Sequence, residues 1–148
     1  MLNNIAEELK RTVLDVSEKL LKIADPDSKV KPAPGKWSRI EILGHLIDSA
    51  SNNHQRFVRA QLTNEYSDPG YMQDDWVSTQ AYKERNWKEI IELWKYYNLH
   101  LTELIKRIPD DKLKNTCRLG DKEPVTLGFI AEDYLRHLKH HVGQLGIL

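Results

Sequence analysis

Apolar side chains recur at helical spacing in four stretches of the chain. In residues 3 to 24, Ile5, Leu9, Val13, Val16, Leu20 and Ile23 form a 4-4-3-4-3 series that predicts an amphipathic helix, ended by Asp25-Pro26. The next residues, with Pro26, Pro32, Pro34 and Gly35, predict an irregular connection inside one domain. A second helix is expected from Ser38, which heads the capping-box pattern Ser38-Arg39-Ile40-Glu41 with Trp37 before it as a staple. Ile42, Leu46, Ala50 and Phe57 share its apolar face, and it should run to Leu62. Residues 63 to 78, centred on Asp68-Pro69-Gly70, read as a loop too long for a tight turn between neighbouring helices, so a crossover is expected. It carries a short helix around Trp76 to Lys83. Asn86-Trp87-Lys88-Glu89 caps a third helix with the stripe Ile90, Trp94, Tyr97, Leu101, Leu104 and Ile108, closed by Pro109. Thr116 to Val125 suits a small hairpin or loop, and Thr126 caps a fourth helix. Its stripe is Leu127, Ala131, Tyr134, Leu138, His141 and Leu145. Four matched seams, and no period-two run long enough for a conventional strand, predict an all-α four-helix bundle with a long crossover between its second and third helices.

The chain length, 148 residues, suits a single domain spanning 1–148 with a core that needs no disulfide. Lys and Arg total 22 and Asp and Glu total 22, a balance that argues against the basic surface nucleic-acid binding requires. Cys117 is the only cysteine, so an intramolecular disulfide and a thiolate-rich metal site are both excluded, and a reducing, cytoplasmic setting is expected. The polar, acidic start Met1-Leu2-Asn3-Asn4-Ile5-Ala6-Glu7-Glu8 does not look like a signal peptide. No stretch approaches the ~18 apolar residues of a membrane span. The mixed-charge polar face of the first helix favours core packing over a membrane surface.

Chemistry concentrates in Tyr134-Leu135-Arg136-His137-Leu138-Lys139-His140-His141, which holds three of the six histidines. His137 and His141 are four residues apart, which sets their imidazoles one turn apart on one side of a helix, a spacing able to grip one metal ion. With His141 at zero, the apolar stripe centres near ~+40°, His137 falls near ~−40° and His140 near ~−100°, so His140 points toward solvent. A third ligand must come from another helix. His45 lies at the margin of the second helix's apolar stripe with Glu41, Asn52 and Arg56 on the same line, while His54 occupies the opposite margin. The two cannot reach one ion together, and helical geometry alone does not choose between them. For any single histidine the commoner reading is a boundary side chain satisfied by water or a carboxylate.

Lys36-Trp37-Ser38, Gly44-His45-Leu46-Ile47-Asp48-Ser49 with Arg56-Phe57, and His137-Leu138-Lys139-His140-His141 with Gln144-Leu145 resemble the DinB-like superfamily, and within it the YfiT-like branch of metal-dependent hydrolases. Tyr71-Met72-Gln73-Asp74-Asp75-Trp76 is similar to that branch's crossover segment. The resemblance spans nearly the whole chain. It implies a four-helix bundle with a long crossover, frequent dimers, and a divalent metal, nickel or zinc, on three histidines whose matching positions are His45, His137 and His141.

Three neutral imidazoles leave a metal an open position at which water is acidified, from ~15.7 to about 7 in favourable zinc sites, so hydrolysis is available. Asp48, Glu41 and Asn52 are the candidate bases, and Asp48 or Asp133 could instead orient an imidazole. The resemblance also admits thiol-dependent transferases and isomerases, in which a low-molecular-weight thiol is the partner. Arg56 and Arg136 would then meet the cosubstrate's carboxylates. A non-catalytic bundle that binds a metal or a ligand is the third reading.

Overall fold

The computed structural model describes residues 2–147. The first helix, α1 (Leu2–Leu20), buries Leu2, Ile5, Ala6, Leu9, Val13, Val16, Ser17 and Leu20, the stripe its periodicity predicts. It stops short of residue 24 because the chain turns there into α2 (Asp25–Ser28), with Pro26 in its first turn. Asp25 then acts at a distance: its Oδ1 accepts from the Trp87 amide at 2.8 Å, and the Trp87 indole donates to the Leu20 carbonyl at 3.1 Å. These bonds tie the end of α1 to the start of the third long helix.

α3 (Arg39–Leu62) is capped by Glu41, whose Oε1 accepts from both the amide and the hydroxyl of Ser38, at 3.1 and 3.0 Å. The crossover that follows holds β1 (Glu65–Asp68), α4 (Gln73–Gln80) and a 3-10 turn over Tyr82–Glu84. α5 (Trp87–Lys106) is capped by Asn86, which accepts from the Glu89 amide at 3.0 Å. β2 (Thr116–Leu119) and β3 (Val125–Thr126) form the expected hairpin, and α6 (Leu127–Val142) starts from Thr126, which accepts from the Phe129 amide at 3.1 Å. A 3-10 turn at Gly143–Leu145 buries Leu145.

The four long helices α1, α3, α5 and α6 pack around one core, with α5 against α1 and α3, and α6 against α3 and α1. Trp94, Phe57, Leu9, Leu20, Ile90, Leu101 and Leu127 are fully buried there. Each contributes about 1.5–3 kcal/mol or more by burial. Tyr134 carries a polar tie through the core, its hydroxyl donating to Asn98 Oδ1 at 2.6 Å and so joining α6 to α5. Arg39 donates to the Leu145 carbonyl at 2.8 Å, which sets the start of α3 beside the end of α6.

Residues 65 to 68 depart from the expected loop. β1 pairs in parallel with β2, Tyr66 opposite Cys117, and β2 pairs antiparallel with β3, giving the sheet order β1-β2-β3. Four residues with one buried position carry no readable alternation, and the partner strand lies some fifty residues away. The sheet pins the first part of the crossover against the end of the bundle that holds the β2–β3 hairpin.

Candidate metal centre

His45 lies in the second turn of α3 and His137 and His141 in the last turns of α6. Because α3 and α6 run antiparallel, those turns meet. The three side chains offer nitrogens that all lie within 4.8 Å of one another. His45 Nε2 and His137 Nε2 are 3.3 Å apart. Two ligands ~2.1 Å from a shared zinc in tetrahedral geometry would be roughly 3.4 Å apart, so the spacing fits an ion between them. The ring centroids stand 5.1 Å apart for His45 and His137, and 4.6 Å for each pair that includes His141, all edge to face. His141 Nδ1 donates to Gln144 Oε1 at 2.8 Å, which leaves Nε2 with its lone pair free. His45 Nδ1 is buried without a hydrogen-bond partner among the described residues.

The electrostatics favour neutral rings. Burial, then the neighbouring His141 and His137, push His45 down to about 3. Burial and His141 push His137 down to about 4 against the opposing pull of Asp133. Burial also lowers His141, with Gln144 opposing. Neutral imidazole is the form that binds a metal. Trp37 covers the cluster, its ring centroid 4.9 Å from His45 and 6.5 Å from His141, so the expected staple residue forms part of the site wall.

The remaining candidates are dispersed. His140 is exposed on the outer side of α6. His54 points the other way, accepting or donating at Tyr97 Oη at 2.8 Å and stacking edge-on with His100 at 5.4 Å. Asp48 is buried and its Oδ1 accepts from Tyr82 Oη at 2.6 Å and Gln80 Nε2 at 2.7 Å; among the described residues none of its hydrogen bonds reaches a histidine. Burial raises its carboxyl above the ordinary range, with Tyr82 and Gln80 opposing. Glu41 is engaged with Ser38 and Lys31, and Asn52 with the Asp48 carbonyl. Arg136 is exposed and paired with Asp133. Arg56 is buried and faces Asp68.

Two clefts reach the cluster. One of about 580 Å³ runs past His141 between Trp37, Lys36 and Ile42 on one side and Gln73 and Asp74 of the crossover on the other. A smaller one of about 110 Å³ lies at His137 and is walled by Ser49, Asn53, Arg56 and Tyr71. Gln73 and Asp74 escaped notice as site residues in the sequence, since an acidic start to a short helix reads first as a helix-dipole preference. Only the path of the crossover places them in the cleft that His141 also lines.

A helical bundle with a crossover and three histidines converging from two antiparallel helices defines a class of proteins able to build a metal centre. The chain is placed within it by its sequence: the model of the DinB superfamily matches residues 9–145, and the chain belongs to that superfamily. Among solved structures it is similar to YfiT from Bacillus subtilis, described as a probable metal-dependent hydrolase with an unusual four-helix bundle topology. The TM-score is 0.81 at 21% identity, over 95% of this chain and 83% of that one. It is also similar to the mycothiol-dependent maleylpyruvate isomerase, with a TM-score of 0.79 at 15% identity over all of this chain. A histidine-to-alanine mutant of that isomerase gives 0.80 at 14%. This chain spans 62% of the isomerase's length. At these identities the likeness shows the fold. No curated protein matches the chain. No described helix is long and apolar enough to cross a membrane.

Proposed function

We propose that this protein is a metal-dependent hydrolase whose divalent ion, zinc or nickel, is held by His45, His137 and His141. The observation that carries the reading is the convergence of three neutral imidazoles within 4.8 Å, open to a cleft of about 580 Å³. A divalent ion held by these three residues would act as a Lewis acid and acidify a water or thiol bound to it. The chain's own residues would do the rest. Gln144 fixes the His141 tautomer, Trp37 shields the rings, and Asp74, which shares the cleft with His141, would be the carboxylate placed to take a proton from an attacking water. Asp48 acts indirectly: by holding Gln80 and Tyr82 it keeps the crossover wall against α3.

The test is elemental analysis of the purified protein beside its His45→Ala/His137→Ala/His141→Ala variant, together with turnover of ester and amide substrates with and without added thiol. The wild type should carry close to one equivalent of zinc or nickel and the variant none; equal metal content in the two would overturn the site. Thiol-independent turnover lost in His137→Ala supports hydrolysis.

A second reading, transfer of a low-molecular-weight thiol, is favoured by one observation: among the described residues no carboxylate hydrogen-bonds the histidine cluster, and a thiolate placed on the ion needs no protein base to activate it. Cys117 does not supply that thiol, because it is buried and burial pushes its pKa up to about 11. Turnover that requires an added thiol would decide for this reading. A cytoplasmic location and a homodimer complete the proposal, and light scattering of the purified protein checks the dimer.

A further inference from the structure

The smaller cleft is built unlike the larger one. Ser49, Asn53 and Arg56 follow His45 along one side of α3, at ~6, ~12 and ~16 Å of helix rise, and helical side chains lean back toward the N-terminus, here toward the histidines. The cleft therefore leads from His137 to a guanidinium. Arg56 is 8% exposed, and its charge is balanced from behind. Nε and Nη2 donate to the two oxygens of Asp68 at 3.2 and 3.3 Å, and Nη1 donates to Asn53 Oδ1 at 3.4 Å. Asp68 does not line the cleft, and its Oδ1 is also held by the Gly70 amide at 2.7 Å.

A guanidinium has five N–H donors, and three are spent on these partners. One N–H on each of Nη1 and Nη2 keeps no protein acceptor among the described residues. Arg56 lines the cleft, and a guanidinium that keeps N–H groups to spare is the donor best suited to a carboxylate. Tyr71 lines the same cleft beside Ser49, and its phenol, protonated at neutral pH, adds a further donor there. The only acid in the wall, Asp133, is engaged by Arg136. The cleft thus carries donors on Arg56 and Tyr71, and about 110 Å³ admits a group the size of a carboxylate.

We propose that this cleft is a carboxylate subsite, and that the substrate is a small carboxylate-bearing molecule with its reacting group a short spacer away, at the histidines. Arg56, with Tyr71, is the specificity-determining residue. Asp68 is a positioning residue that holds the guanidinium edge toward the cleft. The proposal rests on the metal-centre reading for the reacting end only; the carboxylate end stands on Arg56.

The probe is acetate, with acetamide as its neutral isostere, titrated against the 15N-labelled protein loaded with zinc while the Arg56 Nε–H resonance is followed. Acetate should shift that resonance and bind at least ~10-fold more tightly than acetamide, the size of effect that a charge-assisted bidentate pair supports. The shift should persist in the zinc-free triple histidine variant. Arg56→Met/Asp68→Asn, which removes both charges together, should lose binding by at least ~10-fold, and Tyr71→Phe, which leaves the ion pair intact, should weaken it roughly 3-fold. Acetate that binds only in the presence of zinc, and as tightly in Tyr71→Phe as in the wild type, is a ligand of the ion and overturns the subsite. Equal binding of acetate and acetamide also overturns it. If acetate shifts Arg56 in a protein that takes up no zinc, the metal reading fails while the subsite stands.

Discussion

At the residue scale, two side chains that sequence alone leaves ambiguous have sharply different fates. Gln144, one turn beyond His140, accepts from the Nδ1–H of His141 and so settles which nitrogen faces the other histidines. Gln144→Ala is expected to weaken zinc affinity by ~10-fold or more, and His137→Ala by at least ~100-fold, whereas His140→Ala should leave it unchanged. Competition titration with a chromophoric chelator measures all three. Cys117, the lone thiol, is buried with its pKa raised by burial and by Asp68, Arg56 opposing. It should resist a thiol reagent at pH 8 in the folded protein and react fully in guanidinium chloride. Because the folded-state pKa lies above the ordinary 9.0, the folded form holds its proton longer than the unfolded chain does. That contribution to stability is complete below about pH 9 and is lost as pH rises toward 11. Urea midpoints should therefore fall more steeply between pH 8.5 and about 10.5 in the wild type than in Cys117→Ala.

At the element scale, the close approach of the crossover to α3 is written into one glycine. A Cβ on Gly44 would lie 2.2 Å from Cδ2 of Tyr82, so only glycine lets that ring lie against the helix one residue before His45. Gly44→Ala gains about 1 kcal/mol of helix propensity and loses more through the clash. A net destabilisation of about 1–3 kcal/mol is expected in urea denaturation, with reduced metal retention because the displaced ring belongs to the crossover wall.

The long helices were legible because their stripes repeat over five or six positions and their caps are local: Asn86 and Thr126 need only the residue three places on. The sequence marked α1 as reaching residue 24, because apolar spacing continues through Ile23 after the backbone has already turned. β1 was not legible, since its pairing with β2 depends on a segment distant in the chain. Trp37, expected as a staple from its position before Ser38, also lies against His45 and His141, a role its position in the sequence does not signal.

At the scale of the whole molecule, α3 and α6 are joined near the cluster by the Arg39 bond to Leu145 and by the histidines themselves. A metal shared between the two helices would bind the folded chain more tightly than the unfolded one, so it should stabilise with its occupancy, by up to about 2.7 kcal/mol at a hundredfold excess over Kd. Differential scanning calorimetry should show a zinc-dependent rise in Tm of several degrees that is absent from the triple alanine variant; an equal rise in both would place the stabilising zinc elsewhere. By itself the sequence determined the four helices, most of their caps, and His137 and His141 as a pair, because these follow from periodicity and from contacts within one or two turns. Helical spacing left His45 and His54 open and the family resemblance pointed to His45; the turn of Asp48 toward Tyr82 and Gln80, the place of Asp74 in the cleft beside His141, and the pairing of Arg56 with Asp68 were decided only by the tertiary structure. Each depends on which helix faces which and on where the crossover lies, and those are properties of long-range packing that no local spacing encodes.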